Sequence, residues 1–148
     1  MKTKLIALSL LLIASSLNAH EGIELGPNGG RILEFSKDET MHGEVTAKDG
    51  KFSIALLDKD MKPVTVGAQT LTATSGDRAN PEKLTVEVQE NHFVVPMLKG
   101  DDYYIILQFK PVPTAKAITA RLHYDAKTCE ECKAPEWLCK CTAEKEKK

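Results

Sequence analysis

Residues 84–97 read Leu-Thr-Val-Glu-Val-Gln-Glu-Asn-His-Phe-Val-Val-Pro-Met, and the reading of this stretch decides the fold. Leu84, Val86 and Val88 alternate with Thr85, Glu87 and Gln89. That period of two puts apolar side chains on one face of a strand and polar ones on the other. Glu90-Asn91 is a turn signal, and Phe93, Val95 and Met97 follow it as a returning strand. The pair predicts an antiparallel β unit.

The same pattern extends in both directions. Tyr103 to Phe109 is apolar on both faces for part of its length, as a central strand is, and Ile118, Ala120, Leu122 and Tyr124 form a last alternating strand. Upstream, Met41 to Ala47 and Phe52 to Leu57 flank Lys48-Asp49-Gly50-Lys51. Its Asp-Gly pair is a hairpin turn because glycine tolerates positive φ. Arg31 to Phe35, Pro63 to Val66 and Leu71 to Thr74 are shorter strand candidates. No stretch from 31 to 125 sustains a helical period. About eight or nine short strands bury their apolar faces most naturally as an all-β, antiparallel two-sheet sandwich. The predicted core includes Phe52, Ile54, Leu56, Val86, Val88, Phe93, Val95, Tyr103, Ile105, Leu107, Ile118 and Leu122.

The domain occupies 31–126. Before it lie a polar, glycine-rich arm at 20–30 and a segment, 1–19, built like a cleavable signal peptide. Lys2 and Lys4 give a positive start, Leu5 to Ile13 an apolar run, and Ser15, Ser16, Asn18 and Ala19 a small, polar cleavage region. The apolar run is shorter than the roughly 20 residues that span a bilayer. Cleavage after Ala19 is the preferred site, with Ser16 the alternative, and the expected location is periplasmic or secreted. No later segment reads as a membrane span. Loss of 1–19 removes Lys2 and Lys4 and leaves the chain slightly acidic. There is no basic face for nucleic acid. The chain offers no Gly-x-Ser-x-Gly elbow, His-Glu-x-x-His pair or phosphate loop, and Asp58 and Asp60 lack the downstream ligands of a calcium loop. A non-enzymatic protein is expected.

After Asp125 the strand pattern stops. The tail, 127–148, carries all four cysteines of the chain, Cys129-x-x-Cys132 and Cys139-x-Cys141. Four thiolates at these spacings close a tetrahedral shell around zinc, and soft thiolates also suit Cu(I). In an exported protein, two disulfides across the same arms are the default alternative. No tail residue joins the alternating pattern, so truncation before Lys127 is expected to leave the sandwich folded.

The histidines read less sharply. His92 and His123 are surface histidines by position, and His42 shares a strand face with Glu44 and Thr46. His20 becomes the amino terminus on cleavage after Ala19. Its amine and Nδ1 then form a copper chelate that the His42 imidazole completes. The candidate metal ligands are therefore Cys129, Cys132, Cys139, Cys141, His20 and His42, for zinc or copper.

Pro27-Asn28-Gly29-Gly30-Arg31-Ile32-Leu33, then Met41-His42-Gly43-Glu44-Val45, then Leu57 to Val64 with Lys62-Pro63-Val64 at its end, resemble a set of small secreted bacterial β-domain proteins. Those carry an N-G-G-R-[IL] segment followed by a His-x-Glu strand. The first segment is also similar to the His-Gly-Pro-His-Gly-Gly entry segment of heavy-metal efflux adaptor proteins, with Asn28 in place of the histidine before Gly-Gly. The match covers about 26–66, and the adaptors are longer and carry helical-hairpin and barrel parts that have no counterpart here. The resemblance implies a periplasmic β domain in a metal-handling context and assigns no catalytic residues. Two functions follow as expectations: a periplasmic protein that binds or delivers copper or zinc, or an envelope structural or interaction module with a disulfide-closed tail and no metal. Candidate partners are a metal ion and an envelope or metal-efflux protein.

Overall fold

Antiparallel pairing organises the chain into two sheets packed face to face. The computed structural model describes residues 23–76 and 79–141. The predicted signal segment and His20 lie outside the described residues. Ten strands follow in order: β1 (Arg31–Glu34), β2 (Met41–Lys48), β3 (Lys51–Asp58), β4 (Pro63–Val64), β5 (Thr70–Ser75), β6 (Glu82–Leu84), β7 (Glu87–Gln89), β8 (His92–Pro96), β9 (Asp102–Lys110) and β10 (Ile118–Asp125). One sheet runs β1-β2-β3-β8-β7, with β4 also on β3, and the other runs β10-β9-β5-β6. The expected sandwich is the observed one.

Local chemistry places the turns. Asp49 and Gly50, both at positive φ (52° and 72°), close the β2–β3 hairpin, and Glu90 and Asn91 (47° and 69°) close β7–β8. A two-residue turn with both central residues left-handed matches the right-handed twist of the strands it joins. Asp58 Oδ1 accepts the Asp60 and Lys62 amides at 2.8 and 3.0 Å and shapes the turn before β4. The Lys62 amide holds the Asp58 carboxyl below its ordinary value.

Phe52, Ile54, Leu56, Phe93 and Val95 from one sheet meet Leu71, Ile105, Leu107, Phe109 and Leu122 from the other, all buried. Phe35 stacks on Phe109 with ring centroids 4.7 Å apart. Val86, Tyr103 and other partly buried residues pack around this cluster. Two expected core residues fall outside the cluster: Ile118 is half-buried at the start of β10, and Val88 is 57 % exposed. The alternating run 84–89 is not a single strand. Leu84 ends β6 in one sheet, the chain crosses at Thr85-Val86, and Glu87 starts β7 at the edge of the other. Val88 pairs with buried Phe93 and shares its face, but β7 is the edge strand and is exposed at all three positions, so Val88 stays open to solvent.

Segment 23–30, read from sequence as a loose arm, is tied to the sheet. Ile32 donates its amide to the Glu24 carbonyl at 2.8 Å, and Leu25 bridges Arg31. The clasp is Glu44, 1 % exposed. Its Oε1 accepts the Asn28 and Gly30 amides at 2.7 and 3.0 Å, and its Oε2 accepts Asn28 Nδ2 at 2.7 Å. A buried carboxylate persists only with such partners. A Cβ on Gly30 would lie 2.5 Å from the Val45 carbonyl oxygen, so glycine is needed there for the turn to approach β2. The Asn-Gly-Gly and His-x-Glu signatures are thus two halves of one structural contact.

Candidate metal centre

The tail leaves β10 at Asp125 and folds back as two short arms. Thr128 bridges Pro135, Cys129 donates its amide to the Ala134 carbonyl at 2.8 Å, and Lys133 donates to the Cys129 carbonyl at 3.0 Å. Lys133 at φ 62° turns the chain after Cys132. Pro135 then starts a 3-10 turn, Glu136–Leu138, and the Cys139 amide closes on the Glu136 carbonyl at 3.1 Å. These turns aim both cysteine pairs at one point.

Trp137 anchors the arms. It is 5 % exposed and lies edge-on to Phe52, centroids 6.1 Å apart, with Tyr124 at 5.5 Å. Trp137 belongs to the core cluster, and Leu138 packs against it. The expectation that the tail adds nothing to the core therefore fails on Trp137. A residue in a segment with no strand period gives no alternation signal, and only folding reveals its burial.

The four cysteine sulfurs all lie within 4.8 Å of one another. Cys132 and Cys139 Sγ are 3.5 Å apart, and Cys129 and Cys141 Sγ 3.9 Å. A metal about 2.3 Å from each of four tetrahedral sulfurs separates them by about 3.8 Å. A disulfide needs about 2.05 Å. The sulfurs are therefore spaced for a shared ion, and the cysteines are free. Cys129 and Cys139 are buried, Cys141 is half-buried and Cys132 is exposed.

Backbone amides face the sulfurs. The Cys132 amide, the Cys139 side chain and the Glu131 amide draw the Cys129 thiol down to about 7. Cys139 Sγ accepts the Cys141 amide at 3.4 Å, which pulls its thiol down, but the Cys129 sulfur and burial outweigh that and leave it raised. The Cys139 and Cys132 sulfurs crowding Cys141 raise its thiol further. One thiolate forms readily and the next are opposed, as expected when four like charges converge with no cation between them.

No family model, curated protein or solved structure matches the chain.

The structure places His42 away from the sulfurs, and His20 lies outside the described residues. His42 is buried, pairs through Nδ1 with Glu34 Oε1 at 3.1 Å, and joins no metal-competent group among the described residues. A second group went unread in the sequence: Asp102, His123 and Asp125, on adjacent strands β9 and β10. Register made it, since Asp125 pairs directly with Asp102 and His123 sits two residues back on the same face. His123 Nε2 bonds Asp102 Oδ1 at 2.8 Å, which lowers the Asp102 carboxyl, and Lys127 Nζ stands 3.8 Å from Asp102 Oδ2. Asp102 is thus already paired with the His123 imidazole and the Lys127 ammonium.

Proposed function

We propose that this chain is an exported β-sandwich protein that binds one Zn²⁺ through Cys129, Cys132, Cys139 and Cys141, with Cu(I) as the competing ion. The observation that carries the reading is the sulfur spacing, close to a tetrahedral shell and far from bonding distance. Zinc is preferred because it takes four thiolates without a geometric preference of its own. A shell of four sulfurs has no position left for water or substrate. That favours holding, delivery or structural roles over catalysis. The resemblance of 27–33 to the efflux-adaptor entry segment supports an envelope metal-handling setting.

Zinc titration of the reduced protein against a chromophoric chelator tests the reading. One equivalent bound with proton release is the expected result, and Cys139→Ser should weaken binding sharply, because it removes a buried ligand. Affinity should fall as pH falls, since zinc must displace protons from thiols whose ordinary pKa is about 8.5. Absence of binding by the reduced protein contradicts the proposal.

One observation favours a second reading, an envelope interaction module with a disulfide-closed tail. Two of the sulfur contacts, Cys132–Cys139 at 3.5 Å and Cys129–Cys141 at 3.9 Å, run across the two arms. Oxidation along those pairs would crosslink the arms and retain the Trp137 anchor. Peptide mapping that finds these two disulfides in the purified protein would select it.

A further inference from the structure

Arg31, the first residue of β1, has no carboxylate partner among the described residues. Its Nη1 donates to the His123 and Trp137 carbonyls, both at 3.4 Å, which ties β1 to β10 and to the tail. Among the described residues no Asp or Glu oxygen comes within the 4.0 Å of an ion pair with it. The guanidinium is half-buried, and burial holds it below its ordinary value. A cation in that position costs stability unless a negative charge faces it.

It shares one face of the molecule with the sulfur cluster. Arg31 lines one open depression of about 770 Å³ together with Cys129, Cys139 and Cys141. The other charged groups of that depression are Asp125, Lys127, Glu130, Glu131 and Glu136. Lys127, Glu130 and Glu131 are exposed and water-screened, Lys127 is already beside Asp102, and the half-buried Asp125 and Glu136 form no ion pair with Arg31. Four thiolates around a divalent ion leave the loaded cluster with two net negative charges.

We propose that Arg31 is the counter-charge of the metal-loaded cluster, a positioning residue that raises its affinity for a divalent ion. The inference rests on the tetrathiolate reading above. It also joins two distant motifs. The Glu44 clasp fixes Asn28 and Gly30, and so sets the direction in which Arg31 leaves the turn. The arginine of N-G-G-R thereby reaches the backbone of the residue two before Cys139. With neutral thiols and no ion, the Arg31 hydrogen bonds among the described residues go to carbonyl dipoles; with zinc the cluster in the same depression carries an opposing charge.

The test compares zinc affinity, by chelator competition, in reduced wild type, Arg31→Gln and Arg31→Lys. Residues beside a metal shell typically change affinity on the order of 10–100-fold when removed, and Arg31→Gln is expected in that range. Arg31→Lys should stay near wild type, because it keeps the charge and loses only the planar fork. Emission of Trp137, the only tryptophan, reports whether the tail is docked in each protein. Equal affinity in Arg31→Gln and wild type overturns the proposal. So does an Arg31→Lys as weak as Arg31→Gln, since a role in bracing the backbone alone does not distinguish the two. Should Arg31→Gln leave Trp137 undocked, Arg31→Lys decides alone: near-wild-type affinity supports the counter-charge, and a tenfold loss overturns it. Wild type that binds no zinc refutes the metal reading instead, so the two failures are separable.

Discussion

The sandwich and the cysteine tail are ordered by different physics within one chain. The sandwich buries continuous apolar faces, Phe52, Ile54 and Leu56 against Ile105, Leu107 and Phe109. The tail has no such face. Among its described residues, Trp137 and Leu138 reach the core cluster, and the rest is turns, charge and four sulfurs. A segment that small does not order itself by burial, so it borrows the sandwich core through one aromatic side chain and converges its thiols on one point. The comparison teaches that Trp137 is the joint at which the cysteine cluster and the sandwich core meet.

The strongest way to break the comparison is to remove the joint. Trp137→Ala should destabilise the whole domain by about 3–5 kcal/mol, because it opens a cavity beside Phe52 and Tyr124. Denaturant unfolding measures it; a loss confined to tail mobility would make tail and sandwich independent. Truncation before Lys127 should do at least as much.

Zinc loading sharpens the same point from the other side. If tail and core unfold together, free zinc at about 100 times its dissociation constant should stabilise the reduced protein by about 2.7 kcal/mol. A thermal shift seen in both tail and sandwich signals supports coupling. A shift in the tail alone separates them.

Within the sandwich, Glu44→Ala leaves the Asn28 and Gly30 amides without their acceptor and should cost about 2 kcal/mol in equilibrium unfolding. It should also loosen zinc binding through Arg31. The smallest effect is expected at Val88→Thr, within about 0.5 kcal/mol, because the side chain faces solvent on an edge strand. A large loss there would mean that β7 is covered.

Much of this was legible in the sequence because it is local. Alternation at Phe52 to Leu56 and Phe93 to Val95, and the Asp49-Gly50 turn, carry their information within a few residues. The cysteine spacing is equally local, and its four sulfurs do converge. What stayed hidden depends on contacts far apart in the chain. Val88 was read as buried because alternation does not reveal that the chain changes sheets at Thr85-Val86 and leaves β7 at an uncovered edge. Trp137 sits outside any period, and its burial depends on the return of the tail to Phe52. Glu44 looked like a polar strand residue until Asn28 and Gly30 were seen to close on it from 14 to 16 residues away. Asp102, His123 and Asp125 meet only through β9–β10 register.

The central claim, that the four cysteines share one ion, is tested most directly by native mass spectrometry of the purified protein without added reductant. One zinc per chain, lost together with Cys139→Ser, is the expected result. A mass lower by about four hydrogens with no metal, the signature of two disulfides, would contradict it.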